Sequence, residues 1–148
     1  MKPQTHLSMD RTLSGRPIEL AEDRAVLELE TLPSMRADAF DLVHGGFIFS
    51  LADHAAMLAI NHPNVVLGAA QTRFLKPVVV GDTVTAEAVV DRREGKKIFV
   101  HVSVKRDRDG DADEVMSGEF TCFTPPKHVL APAPPKTDDD SVFKEDRV

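Results

Sequence analysis

The stretch Val43-His44-Gly45-Gly46-Phe47-Ile48-Phe49-Ser50-Leu51-Ala52-Asp53-His54-Ala55-Ala56-Met57-Leu58-Ala59-Ile60-Asn61 decides how the rest of the chain is read. It is too long for one strand, rich in Ala and Leu, preceded by two glycines and closed by Asn61-His62-Pro63-Asn64, a helix stop. A helix apolar on nearly every side is normally interior, so its few polar residues need explaining. At 100° per residue, Gly46, Ser50, Asp53, His54, Met57 and Asn61 fall in one stripe, expected to share one environment. That stripe is either the narrow wet side of an amphipathic helix or the wall of a cleft holding Asp53.

Working outward, Arg16–Thr31 alternates apolar and polar around a polar break at Ala21–Arg24, predicting a hairpin or a pair of strands. After the helix come VVLGAAQTRFLKPVVV, DTVTAEAVVD, KKIFVHVSVKRD and EVMSGEFTCFT, separated by Gly81-Asp82, Arg93-Glu94-Gly95 and the polar loop Asp107–Glu114. These predict four antiparallel strands, and with the single long helix they imply an α+β fold with the sheet packed on or around that helix. Residues 1–124 form the expected domain. The remainder, 125–148, combines five prolines with an acidic run and is expected to be a disordered tail.

Composition narrows the function. With 148 residues, 42% hydrophobic and 28% charged, the chain suits one globular domain. A net charge of −6 argues against a nucleic-acid partner, which needs clustered cations. The single Cys122 cannot form an internal disulfide and is expected to be a small buried thiol in a reducing cytoplasm. The N-terminal residues contain no apolar signal core, and no apolar run is long enough to span a membrane. The loop Asp107–Glu114 is superficially like a calcium loop, but its Gly110 is out of register for one, so a solvated hairpin turn and no metal are expected.

The candidate chemistry follows from two features. Gly45 and Gly46 open the helix, leaving first-turn N–H groups that welcome negative charge, such as an oxyanion on a thioester carbonyl; equally, paired glycines permit a tight turn or close packing. Asp53 is a candidate general base or nucleophile. Eight residues along a helix is about 12 Å, too far for Gly45 and Asp53 of one chain to act on one carbonyl carbon. Two antiparallel helices in a two-fold dimer would bring the helix start of one subunit beside Asp53 of the other.

The segment His44-Gly45-Gly46 through Leu51-Ala52-Asp53, followed by Phe74-Leu75-Lys76-Pro77 and Gly81-Asp82-Thr83-Val84, resembles the PaaI-like hotdog-fold thioesterases over about residues 38 to 123. The resemblance implies a hotdog fold, acyl-CoA hydrolysis without metal or organic cofactor, and homodimers or homotetramers with sites at the subunit interface. It further implies Asp53 as base or nucleophile and Gly45 N–H as oxyanion donor. His44, expected to orient the turn by hydrogen bonding, and Gly46, His54, Asp38, Gln71 and Thr72 complete the candidate substrate-binding set. Asp38 stands where many relatives carry Asn, an acceptor in place of a potential donor. Phe49, Met57, Phe74 and Leu75 are candidate acyl-pocket liners.

Three readings are ranked: an acyl-CoA hydrolase for a small-to-medium acyl or aryl-acyl group; a non-catalytic acyl-CoA binding or sensing module; and an enoyl-thioester hydratase using Asp38 and His44, whose spacing is one residue longer than in known hydratases. A transcriptional sensor would need an attached DNA-binding unit, for which the residues before Arg16 are expected to leave no room.

Overall fold

A computed structural model describes residues 1–131. The element order is α1 (Arg11–Ser14), β1 (Arg16–Ala21), β2 (Arg24–Glu30), a 3-10 turn (Pro33–Met35), α2 (Gly45–Ile60), β3 (Val66–Phe74), β4 (Thr83–Glu94), β5 (Lys97–Arg108) and β6 (Asp111–Phe123). The six strands form one antiparallel sheet in the order β1-β2-β4-β5-β6-β3. It is the hotdog arrangement: α2 lies against the sheet and touches all six strands.

Local chemistry explains the boundaries. α2 starts at the half-extended cap His44 and stops at Asn61, which adopts the left-handed conformation (φ 52°, ψ 41°) and donates its N–H to Met57 O at 2.8 Å. Pro63 then prevents continuation. The β5–β6 hairpin turns through Asp109 (φ 53°) and Gly110 (φ 85°), the positive-φ pair that a tight right-twisted hairpin requires. Of the expected loop Asp107–Glu114, only Asp109-Gly110 form the hairpin turn; 107–108 and 111–114 belong to β5 and β6 and pair with each other or with their neighbours in the ladder. The helix carries Leu51, Ala52, Ala55, Ala56, Met57 and Leu58 into a core completed by Leu27, Leu29, Val100, Val102, Val104, Met116 and Phe120. Truncating one such side chain, as in Leu51→Ala, costs about 2–5 kcal/mol.

The strand order forces one long connection. β3 lies at the sheet edge beside β6, whereas β4 lies near the centre, so residues 75–82 must cross the end of the sheet. Along the way Leu75 N–H donates to Val115 O, Val43 N–H donates to Val78 O, and Leu42 bridges to Val79. The turn that closes it rests on Gly81 (φ 100°) and on the buried Asp82 carboxylate, which accepts from Val79 N–H at 3.0 Å and from Arg108 at 2.6 Å. The Phe74–Pro77 and Gly81-Asp82 signatures thus build a strap that docks against the entrance to α2.

No helix among the described residues is long and apolar enough to cross a membrane. Of the expected tail, 125–131 hold bends and turns, with Asn64 Nδ2 donating to Pro125 O at 3.1 Å; the rest of it lies outside the described residues.

Candidate active site

The helix start is shaped by two rings. A Cβ on Gly45 would lie 3.3 Å from Phe74, and one on Gly46 would lie 2.9 Å from His44 Nε2. Both glycines therefore admit close packing of an aromatic or imidazole ring against the first turn. His44 is exposed, sits edge-on to Phe47 at 6.1 Å and makes no side-chain capping bond, so the expected hydrogen-bonding role for its ring is replaced by packing. Its backbone anchors the turn: His44 N–H donates to Met35 O, and its carbonyl accepts from Phe47 N–H. The Gly45 and Gly46 N–H groups have no hydrogen-bond partner among the described residues and remain available at the positive end of the helix. Beside them opens a cleft of about 310 Å³ walled by Val43, Ile48, Phe74, Leu75 and Val115.

The polar stripe of α2 divides in two. Ser50, His54 and Asn61 are taken up by the N-terminal residues, which sequence reasoning did not foresee as part of this region. Ser50 and Ser14 share a hydroxyl hydrogen bond of 2.7 Å; His54 Nδ1–H donates to Ser14 O at 3.0 Å; Asn61 donates to Lys2 O and accepts from Gln4 N–H. His6 stacks on His54 at 6.5 Å. Burial holds the His54 imidazole below its ordinary pKa, opposed by the Ser14 bond and reinforced by Arg11, which keeps the ring neutral near neutrality. The sequence signal for this packing is Asp10, whose carboxylate accepts from Thr12 N–H at 2.9 Å and caps the short α1.

Asp53 takes no part in that lock. Its side chain is half-buried, its Oδ1 has no hydrogen-bond partner among the described residues, and desolvation pushes its pKa up to about 6. Its charge acts on Cys122 of β6: burial first, and then the Asp53 charge, push the thiol up to about 12. Cys122 is fully buried, as expected, and pairs with Leu67 on β3 and Ile98 on β5.

The other candidates scatter. Asp38 is exposed and accepts from Phe40 N–H at 2.9 Å and Leu42 N–H at 3.2 Å, fixing the turn before the helix. Thr72 and Gln71, being consecutive in a strand, face opposite sides; Thr72 pairs with Gly118 on the helix-facing side, and Gln71 pairs with Glu119 on the outer side. Among the proposed liners, Phe74 and Leu75 wall the cleft by Gly45, Phe49 packs on Phe120 at 5.5 Å, and Met57 is fully enclosed in the core.

A six-stranded antiparallel sheet packed on one long central helix defines the hotdog class of proteins, and the comparisons narrow it further. Residues 40–112 match the profile of the Thioesterase superfamily. An uncharacterized protein of Pyrococcus horikoshii has a crystal structure that superposes with a TM-score of 0.83 at 48% identity, covering 88% of this chain and 97% of that one. The acyl-coenzyme A thioesterase PaaI of Escherichia coli is 37% identical over 86 residues, 57% of this chain and 60% of its own. The transcription factor FapR of Caldanaerobacter subterraneus is 37% identical over 79 residues, 53% of this chain and 38% of its own. A methylthioribose-1-phosphate isomerase of Aquifex aeolicus is 50% identical over 120 residues, 81% of this chain but only 25% of that protein. The chain thus spans between a quarter and three fifths of the length of these curated relatives. It belongs to the PaaI-like hotdog thioesterase family.

Proposed function

We propose that the protein hydrolyses acyl-CoA thioesters of small-to-medium acyl or aryl-acyl groups, using Asp53 of one subunit and the Gly45 N–H of a second. The observation that carries this reading is the buried, unpartnered Oδ1 of Asp53 on a carboxylate poised near neutrality. As general base, Asp53 takes a proton from water as the oxygen adds to the thioester carbon. Gly45 N–H holds the resulting oxyanion, and collapse expels the thiolate, which recovers the proton. As nucleophile, the carboxylate instead displaces the thiolate to give an anhydride that water then opens. The free acid and the thiol leave in both cases.

Assembly is part of the proposal. Gly45 abuts Phe74 at one end of β3, whereas Asp53 lies eight residues further along α2, where its charge acts on Cys122, the ladder partner of Leu67 towards the other end. β3 is a sheet edge with exposed Ala69, Ala70, Gln71 and Arg73 and no proline to blunt it. Antiparallel pairing of β3 with β3 of a second copy would bring Leu67 of one chain opposite Phe74 of the other, and each Asp53 toward the partner's helix start.

The test is free-thiol release from a panel of acyl-CoAs, run beside Asp53→Asn and Asp53→Ala proteins of unchanged oligomeric state. Turnover that collapses in both supports the assignment; a full rate in Asp53→Asn refutes it. A second reading, an acyl-CoA-binding protein without turnover, draws on the likeness to a transcription factor and on Asp38 in place of the usual Asn. It predicts tight binding and no thiol release.

A further inference from the structure

The core-facing row of β5 runs Val100, Val102, Val104 and then Arg106, so a guanidinium stands where the row calls for a fourth apolar side chain. Arg106 is 7% exposed and is the one buried lysine or arginine among the described residues. Burying a cation is costly unless its donors are used. Nη1 donates to Pro77 O and Nη2 to Asp113 Oδ2 at 3.3 Å, while Nε has no hydrogen-bond partner among the described residues. A charge held this deep with one donor idle does little for stability, because an apolar side chain of similar length would fill the same space without the desolvation cost. What it supplies is direction, since the planar fork fixes two acceptors at once.

Both acceptors bear on the strap that joins β3 to β4. Asp113 also accepts from Lys76 at 3.1 Å, so the strap is tied to the end of the β5–β6 hairpin through the Lys76 side chain and the Pro77 carbonyl. Val115, skipped by the register shift in the β5–β6 ladder, accepts from Leu75 N–H at 2.7 Å and adds a third tie. Beyond Pro77 the strap pairs with the chain entering α2: Val78 O accepts from Val43 N–H at 2.8 Å, and Val80 N–H donates to Asp41 O at 2.9 Å. Gly45 follows Val43 by two residues and opens the helix. A short path therefore leads from the guanidinium to the helix start, through Pro77 O, Val78 O and Val43 N–H. Leu75, Lys76, Pro77 and Val78 also wall the cleft of about 310 Å³ beside Gly45, and Arg106 braces that wall from the core side.

We infer that Arg106 is a positioning residue: by gripping Pro77 O it sets the strap against the entrance to α2 and so fixes where the Gly45 N–H points. The consequence for turnover rests on the thioesterase reading of Asp53 and Gly45, whereas the hold of Arg106 on the helix entrance is a property of the fold alone. Its effect reaches the reacting atoms only through the strap.

The experiment pairs amide hydrogen exchange with thiol release in the full-length protein and in Arg106→Met and Arg106→Lys. Methionine keeps much of the length without the donors, so Arg106→Met should remain folded. In it the Val43 and Val80 amides are expected to exchange on the order of tenfold faster, while amides of the β2–β4 ladder stay level. With whichever acyl-CoA of the panel the wild type hydrolyses best, kcat should fall by at least about tenfold as the donor drifts off the carbonyl, and KM should change by less than about twofold. Lysine, a single donor that can still reach one acceptor, should recover part of both effects. Unchanged exchange at Val43 and Val80 in Arg106→Met, a rise shared equally by the β2–β4 ladder, or a full kcat beside faster exchange overturns the inference. Should Arg106→Met fail to fold, Arg106→Lys is read by the same two measurements: a smaller local rise with a lowered kcat supports the role, and wild-type values overturn it. Should the wild type hydrolyse no thioester, the thioesterase reading fails, and exchange alone decides whether Arg106 holds the helix entrance.

Discussion

Asp53→Asn should stabilise the fold while abolishing turnover. In the folded chain the carboxyl is pushed from 3.8 to about 6 by burial with no compensating partner at Oδ1. Ionising it there costs at most about 3 kcal/mol relative to the unfolded chain. Because the side chain keeps some exposure, screening by water reduces this to about 1–2 kcal/mol. The sign follows from the direction of the shift. A carboxyl whose folded pKa is raised holds its proton more tightly when folded, so the wild type loses stability as pH climbs from about 4 to about 6. An uncharged Asn does not. Below that window the two proteins should melt together; above it Asn should melt higher. With unfolding entropy of roughly 2.1 cal/mol/K per residue, the gain corresponds to about 3–6 °C. Thermal melts of both proteins at about pH 4 and about pH 8, followed by circular dichroism, measure it. A melting difference that does not change with pH, or an Asn variant less stable at the higher pH, would refute the argument that Asp53 is an uncompensated charge.

Three further substitutions test separate parts of the structure. Gly45→Ala should change stability by less than about 1 kcal/mol, since alanine's helix propensity offsets a 3.3 Å contact with Phe74, yet reduce thioester turnover on the order of a hundredfold by displacing the N–H donor from the carbonyl; melts and thiol release measured together separate the two. Gly118→Ala should cost about 1–3 kcal/mol in denaturant titrations, because its Cβ would lie 2.8 Å from the Gln71 carbonyl oxygen, within the β3–β6 ladder. Asp82→Ala should cost about 2 kcal/mol at neutral pH. Burial alone would raise the Asp82 pKa, but the Arg108 and Val79 N–H bonds outweigh it and hold the carboxyl below its ordinary value. Its contribution is therefore present above the usual carboxylate range and fades as pH falls, and the stability gap between Asp82→Ala and wild type should close on acidification.

Much of this was legible in the sequence. The helix from 45 to 60 and the strand segments were signalled by apolar period, turn residues and the Asn61–Asn64 stop, and the hairpin turn at Asp109-Gly110 by its residue types. The helix-opening glycines and Asp53 stood out for the same reason: they break an otherwise apolar pattern. What the sequence did not disclose depends on long-range pairing. Nothing local indicates that β3 flanks β6, that Phe74 returns to cover Gly45, or that Ser14 meets Ser50 and His54 across 36 and 40 residues. The shared environment expected for Ser50, Asp53, His54 and Asn61 was therefore too coarse, since three of the four side chains are spent on the N-terminal residues. Gln71 and Thr72 were indistinguishable until the register with Glu119 and Gly118 put them on opposite faces.

That division of the helix stripe bears on function. Ser50, His54 and Asn61 each answer a structural need, because each closes a hydrogen bond to the segment covering it. Asp53, on the same helix, closes none through Oδ1. A sequence free to optimise stability would place an alanine or leucine there, as it does at Ala52, Ala55 and Ala56, and would avoid the cost of a half-buried ionisable group. Local rules tend to fail where a site holds a strained or uncompensated group for use. The oxygen that the fold leaves unpaired is thus the atom with capacity to take a proton or attack a carbonyl. The N–H groups that could complete the reaction lie about 12 Å away on the same helix. On the proposed mechanism, a second copy docked along the open edge of β3 would bring the two together, and activity would then depend on assembly.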